Sequence, residues 1–268
     1  MTFKEPVALG RTGLRVGRLG IASGYKAPTA AIEEAFERGA NYFTWGTVIK
    51  GYAPGMREAL KNIVAKGQRD RLVLATFTYA HSNSITEKLL RRGLKSAGLD
   101  HADVLILGYF ARHVPRRLID GALGMKEKGI VRFIGVSSHN RKLLGKLAQE
   151  GEFDVLHLRY SAAHPGAEQD IFPCLKGEKR PGTVAFTATR WGQLLKEKKM
   201  PPGEKPATAA DCYRFVLSNP AIDVCMSGAR TIEQMRENLG VLESGPMSED
   251  ELARMRRIGA HVHGGKRR

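Results

Sequence analysis

Eight short apolar runs, each about one strand-and-helix unit after the last, constrain this chain more than any other feature. They begin near Arg18 (RLGIAS), Asn41 (NYFTWG), Leu72 (LVLATFTY), Asp103 (DVLILGYF), Val131 (VRFIGVSS), Val155 (VLHLRYS), Gly182 (GTVAFTAT) and Ala221 (AIDVCMSG). Helix-like segments lie at residues 29–39, 55–67, 84–97, 115–128, 141–150, 208–218 and 231–243. Such alternation marks repeated βαβ units. Runs that are apolar almost throughout belong to parallel strands covered on both faces. Eight of them predict an α/β protein, a closed (β/α)8 TIM barrel. An open doubly wound sheet would carry a Gly-rich fingerprint after its first strand, where GIASGYKAPT stands instead.

Local signals extend this outline. Ahead of the first run, VALGRTGLRVGRLG sets Thr12-Gly13 between two short extended pieces, which predicts an N-terminal β-hairpin closing the barrel bottom. Ser84-Ile85-Thr86-Glu87 and Thr231-Ile232-Glu233-Gln234 read as capping boxes, whose side chains satisfy the first free amides of a helix. Ser248-Glu249-Asp250-Glu251 is a third, and Met247 with Leu252 would form a hydrophobic staple, so an extra C-terminal helix follows the eighth unit. KKMPPGEKPA (198–207) reads as a Pro-rich surface loop. Residues 1–268 are expected to form one barrel domain, with 262–268 as a basic tail.

With 268 residues and 42% hydrophobic composition the chain can bury a sizeable core. The start MTFKEPVALG lacks the apolar stretch of a signal peptide, and no 18-residue apolar run occurs, so a cytoplasmic protein with no membrane partner is expected. Cys174, Cys212 and Cys225 lack paired spacing and read as reduced thiols rather than a disulfide framework or a zinc site. The charge is unusual: 43 Lys+Arg against 27 Asp+Glu give a formal +16. Such an excess attracts nucleic acid and phosphorylated ligands. It is spread through RRGLKSAG, RHVPRR, KEKK and GGKRR without a recognised nucleic-acid module, so it reads as a solvated basic surface, with a polyanion-binding barrel as the alternative.

The pieces LGRTGLRVGRLG, RGANYF, RFIGVSSHN and SGARTIEQMRENLG resemble the aldo-keto reductases, in family order over residues 6 to 244. That resemblance implies a barrel that binds NADP(H) and passes hydride to a carbonyl. Its chemistry would rest on four strand-end residues: an aspartate, a proton-donating tyrosine, a lysine that lowers the tyrosine pKa, and a histidine that orients substrate. The family pattern after the second strand is Phe-Asp-Thr-Ala, two residues, then Tyr. Laid on Phe43-Thr44-Trp45-Gly46-Thr47-Val48-Ile49, it puts Thr44 at the aspartate and Ile49 at the tyrosine. Phe77 stands at the lysine and Gly108 at the histidine. The resemblance therefore points to a divergent member whose standard carbonyl reduction is reduced or lost. Removing the aspartate or the lysine alone would strand a buried charge at ~3–5 kcal/mol, whereas removing both leaves none. The alternative is an active NAD(P)H-dependent oxidoreductase with a relocated proton donor, Tyr52 or Tyr109, near Lys50 and His139. On the plainer reading both tyrosines are rim aromatics and His139 caps the following helix.

The cofactor positions that the resemblance implies are better kept. Ser137 and Ser138 stand where the nicotinamide carboxamide is held, His157 where the sixth strand offers Gln, and Phe186 where an aromatic stacks on the ring. Gly228, Arg230 and Thr231 precede a helix whose free amides favour an anion, and Gln234, Glu237 and Asn238 match adenosine contacts. Arg230 would pair with a 2′-phosphate. Thr231 and Gln234 also read as a simple capping box, and His157 as a satisfied core histidine. FTATRWGQLL departs from the family's Ser-Pro-Leu loop, although Gly192 and Leu194 fit, and Trp45 would fill nicotinamide space at the mouth. The HVH at 261–263 lacks a third ligand and reads as tail, so no metal site is expected.

Overall fold

The computed structural model describes residues 2–46 and 53–264. A hairpin of β1 (Val7–Ala8) and β2 (Arg15–Val16) comes first, turning at Gly13 with φ +72°. The chain continues through β3 (Leu19–Ala22), α1 (Thr29–Glu37), β4 (Tyr42–Gly46), α2 (Pro54–Ala65), β5 (Val73–Thr78) and α3 (Asn83–Ser96). Next are β6 (Ala102–Leu107), α4 (Arg116–Glu127), β7 (Val131–Ser138), α5 (Arg141–Glu150) and β8 (Val155–Arg159). A short α6 (Ala167–Asp170), β9 (Gly182–Phe186), α7 (Ala209–Leu217), β10 (Val224–Ser227), α8 (Ile232–Leu239) and α9 (Glu249–Gly264) complete it. Strands β3 to β10 pair in parallel and in chain order, and β10 returns to β3, so the sheet closes into the expected barrel. Among the described residues no helix is long and apolar enough to cross a membrane.

Side chains on successive strand residues point to opposite faces. Tyr42, Val104, Ile106, Val155, Val184 and Val224 turn into the barrel, where they meet Leu9, Leu14 and Val16 of the hairpin. The hairpin is thus a plug. It seats because Gly10 has φ +47° and lies against β9: a Cβ there would be 2.2 Å from the Gly182 amide nitrogen. Phe43 and Trp45, one residue out of phase with Tyr42, belong to the outer cluster that the helices cover, with Met56 and Leu60. Trp45 therefore does not occupy the mouth. The period of two that sends Thr44 inward sends Trp45 out.

At the N-terminal end of the barrel one device repeats four times. Asn41 Oδ1 accepts the amide of Gly17 at 2.8 Å, and Asp103 Oδ2 that of Leu74 at 2.8 Å. Asp154 Oδ2 accepts the amide of Ile134 at 3.1 Å, and Asp223 Oδ2 that of Thr183 at 2.9 Å. Every second barrel strand thus carries, at or just before its start, a side-chain oxygen that holds the neighbouring strand in register. The three carboxylates are answered by cations: Arg69 and Arg132 on Asp103, Arg11 and Lys126 on Asp154, and Arg180 through two nitrogens on Asp223. Charge-assisted and bidentate bonds of this kind are about twice as strong as neutral ones.

Several local expectations are corrected. Helix α3 starts at Asn83 with Ser82 at its cap, and the Ser84–Glu87 box does not form. Thr86 instead bonds Thr78 through their hydroxyls at 2.9 Å, and Glu87 faces Arg91 and Lys128. His139 does not cap α5; Asn140 Oδ1 does, accepting from the Leu143 amide at 3.1 Å. His261 and His263 are not tail residues, because α9 runs through them to Gly264. The Ser248–Glu251 box is made in both directions, at 2.8 and 3.3 Å.

Asp223→Ala would leave the Arg180 guanidinium without its carboxylate and the Thr183 amide without its acceptor. A loss of ~3–5 kcal/mol in urea unfolding is expected for this 3% exposed carboxylate. The exposed Glu34–Arg236 pair, cut by Arg236→Ala, should leave the transition nearly unmoved.

Candidate functional site

A cleft of about 880 Å³ opens at the C-terminal mouth of the barrel, between the ends of β3, β9 and β10 and the start of α8. Its apolar side is made by Phe186, Met226, Tyr213 and Tyr25, and its polar side by Arg230, Gln234, Glu237 and Asn238. Gly228 sits at the junction, directly beneath Tyr25: a Cβ would lie 2.2 Å from the ring, so the tyrosine can pack there only over glycine. The loop after β9 forms the remaining wall. Thr187, Arg190 and Trp191 hold φ of +65°, +49° and +52° in quick succession. Each such residue costs ~1–3 kcal/mol, and strain of this kind clusters at ligand sites.

The start of α8 is organised by its own side chains. Thr231 Oγ1 accepts the Gln234 amide at 3.2 Å, while Gln234 Oε1 accepts the Arg230 amide at 2.9 Å. Those two oxygens are occupied in capping. Asn238 Nδ2 donates to the Gly228 carbonyl at 3.2 Å and fixes the strand end. The Arg230 guanidinium, by contrast, is exposed and makes no ion pair among the described residues. The positive end of a helix and a free guanidinium beside it are a natural setting for an anion.

Six of the ten cofactor positions expected from the sequence share this cleft: Phe186, Gly228, Arg230, Gln234, Glu237 and Asn238. Thr231 caps the same helix without lining the cleft. Ser137, Ser138 and His157 lie deeper and do not line it. The Ser138 hydroxyl donates to the Phe110 carbonyl at 2.5 Å and accepts the Asn140 amide at 2.9 Å, so it ties the β6 and β7 ends together. His157 is fully enclosed, with Nε2 2.7 Å from the Tyr42 hydroxyl and Phe77 edge-on at 5.2 Å. Burial drives its pKa down to about 3, so the ring stays neutral.

At the opposite side of the mouth, Gly108 faces aromatic rings: a Cβ there would lie 3.0 Å from Tyr79 and 3.5 Å from Phe77. Phe77 and Tyr79 are stacked 6.1 Å apart. Thr44 is buried between Ala22 and Ala75 of the adjoining strands. Tyr109 is 45% exposed, its ring 4.6 Å from His139, which in turn lies 5.4 Å from Phe186 at the cleft. His139 Nδ1 is enclosed without a hydrogen-bond partner among the described residues, and burial followed by the Arg159 charge lowers its pKa. Tyr52, Ile49 and Lys50 lie outside the described residues. Among the described residues no three His, Cys, Asp or Glu side chains come together as a metal site would need.

Sequence reasoning missed Tyr25, Tyr213, Tyr79 and Arg159. Tyr25 and Tyr213 reach the cleft from loops and helices of different units, which no linear spacing reveals. Tyr79 and Arg159 carried a signal, since both stand at the end of a barrel strand, where functional groups of such barrels sit.

Fold and mouth together define a parallel (β/α)8 barrel with a ligand cleft at its C-terminal face. A family model described as the aldo/keto reductase family matches residues 17–210, and the chain belongs to that family. The uncharacterized oxidoreductase YrpG of Bacillus subtilis (strain 168) is 25% identical over 298 aligned positions, covering 89% of this chain and 91% of that protein. The holo form of the aldo-keto reductase AKR11C1 from Bacillus halodurans superposes with a TM-score of 0.77 at 17% identity, over 95% of this chain and 96% of that one. Its apo form gives 0.74 at 18%, over 95% of each. At such identities these structures speak for the fold.

The neutral state of His157 has a consequence for acid stability. In the unfolded chain the ring would take a proton below pH 6.5, while in the fold it resists until about pH 3. The contribution is therefore complete above pH 6.5 and is lost as pH falls toward 3. Between pH 6.5 and pH 5 the loss should be ~2 kcal/mol, read from urea midpoints. His157→Gln should flatten this part of the profile; an unchanged slope would mean the ring is already charged or accessible.

Proposed function

We propose that the cleft binds a nicotinamide dinucleotide, NADP(H) in preference to NAD(H), in a barrel whose standard carbonyl reduction is reduced or lost. The observation that supports nucleotide binding is the two-sided character of one cleft. Phe186 and Met226 offer an apolar surface to a nicotinamide ring, and Arg230 at the start of α8 offers a cation to an adenosine phosphate. Between them Gly228 lets the Tyr25 ring pack directly on the backbone and so shapes the cleft wall. When bound, the nucleotide would supply a hydride. The chain would orient it: Asn238 fixes the Gly228 turn, and the strained Thr187–Trp191 segment closes one side. Ser138 and His157, each already committed within the protein, act on this reading as supports of the barrel mouth rather than as holders of the carboxamide.

Loss of chemistry rests on the side chains that stand at the tetrad positions. Thr44, Phe77 and Gly108 supply neither a carboxylate, an ammonium nor an imidazole there, and Phe77 and Tyr79 line that part of the mouth with rings. A positioned general acid contributes ~10²–10⁴ in rate, so a bound hydride donor without one leaves slow turnover at most.

A second reading is favoured by one contact series. Tyr109, His139 and Phe186 pack ring against ring from the rim to the cleft, and Tyr109 could act there as a relocated acid. Tyr109→Phe separates the two readings. A fall of ~10²-fold or more in NADPH-dependent reduction of an aromatic aldehyde would establish the relocated donor, and an unchanged slow rate would exclude it.

Nucleotide binding is tested by calorimetric titration with NADPH and NADH. Saturable, NADPH-selective binding that Arg230→Ala weakens by about tenfold is expected, and equal affinity for both nucleotides in wild type and variant would contradict the role of Arg230.

A further inference from the structure

Beyond the cleft, the mouth carries three neighbouring arginines, Arg159, Arg141 and Arg190, of which Arg159 alone has no partner among the described residues. Arg159 ends β8 in phase with Val155 and His157, the inward-facing residues of that strand. It is half-buried and makes neither a hydrogen bond nor an ion pair among the described residues. Burial lowers its pKa first, and Arg141 and Arg190 lower it further. Arg141 already serves Asp170 at 2.6 Å, and Arg190 donates to the Val262 carbonyl. His164, on the loop after β8, feels the same charges: burial, Arg159, Arg190, His263 and Arg141 together push it down to about 4, so it stays neutral. Its ring stands 6.5 Å from Trp191, a wall of the cleft, and His139 links the same region to Phe186.

A half-buried guanidinium near other cations is stabilised when an anion neutralises it. The two other arginines are committed elsewhere, which leaves the Arg159 fork open for a planar or tetrahedral oxyanion. Arg159 pairs with Phe186 across the β8–β9 seam, and β10, which leads to Arg230, lies on the other side of β9, away from the residues assigned above to the nucleotide phosphates.

We propose that Arg159 anchors the oxyanion, a carboxylate or a phosphate, of the small molecule that enters the barrel mouth beside Phe186. The inference rests on the reading of that mouth as a nucleotide-dependent or formerly nucleotide-dependent site, and it names the class of compound: a small carbonyl or alcohol bearing a negative charge. The uncharged end of such a molecule would face His139 and Phe186, and its anionic end Arg159.

The test is calorimetric titration of the full chain with malonate and, separately, with inorganic phosphate, each with and without NADPH, at low ionic strength. Wild type, Arg159→Gln, Arg159→Lys and the distant surface variant Arg92→Gln are compared, with thermal unfolding as a check on folding. Saturable binding of one probe by wild type is expected, weakened about tenfold or more in Arg159→Gln, partly restored in Arg159→Lys and unchanged in Arg92→Gln. Whichever probe binds decides between carboxylate and phosphate. No binding of either probe, or equal weakening in Arg159→Gln and Arg92→Gln, overturns the proposal and assigns the effect to general surface charge. If Arg159→Gln weakens NADPH itself by a similar factor, Arg159 serves the nucleotide and the proposal is again overturned. If malonate or phosphate binding depends on Arg159 while wild type takes up no NADPH, the anion anchor stands and the nucleotide reading falls.

Discussion

The whole arrangement depends on the four side-chain clamps at the N-terminal end of the barrel. A closed parallel sheet must fix the stagger of every strand against its neighbour, because one residue of slip exchanges the inward and outward side chains. Asn41, Asp103, Asp154 and Asp223 each take an amide in or just before the first half of the preceding strand and so set that stagger at alternate seams. The charges of the three carboxylates are matched by arginines and a lysine drawn from other parts of the chain, so the clamps also fasten the hairpin plug, through Arg11, to the start of β8. With register fixed at this end, the opposite end is free to carry loops of unrelated sequence.

That freedom is visible at the mouth. The loop after β9 adopts backbone conformations that most residues avoid, and Arg159 has no partner among the described residues in a cationic neighbourhood. Neither feature helps the fold. In a barrel clamped at its N-terminal end, such features at the C-terminal mouth are what the proposed binding roles draw on. The +16 charge of the chain thus has a local component at the mouth as well as a dispersed one.

The strands were legible because parallel strands buried on both faces leave unbroken apolar runs, and the closing hairpin was legible because Thr12-Gly13 interrupts two of them. Register was legible too, though it went unused for Trp45: the alternation from Tyr42 through Phe43 already assigns position 45 to the helical side. Caps proved harder. Ser84 has the residues of a box, yet the Thr78 hydroxyl draws Thr86 inward and the basic side chains of α3 and α4 draw Glu87 away, both tertiary effects. His139 and Asn140 compete for one cap, and the shorter Asn side chain reaches the amide. The candidate site was half legible. Residues of the SGARTIEQMRENLG segment fall together because they are local, whereas Tyr25, Tyr213 and the Arg159–His164 group converge from separate units and leave no linear pattern.

The most direct test of the account is a crystal structure of the full chain soaked with NADP+. The account predicts nucleotide in the cleft, its nicotinamide end against Phe186 and its adenosine phosphate within ion-pair distance of Arg230, with Tyr25 still over Gly228. A nucleotide bound elsewhere, or the two ends reversed so that the phosphate meets Arg159, would contradict it.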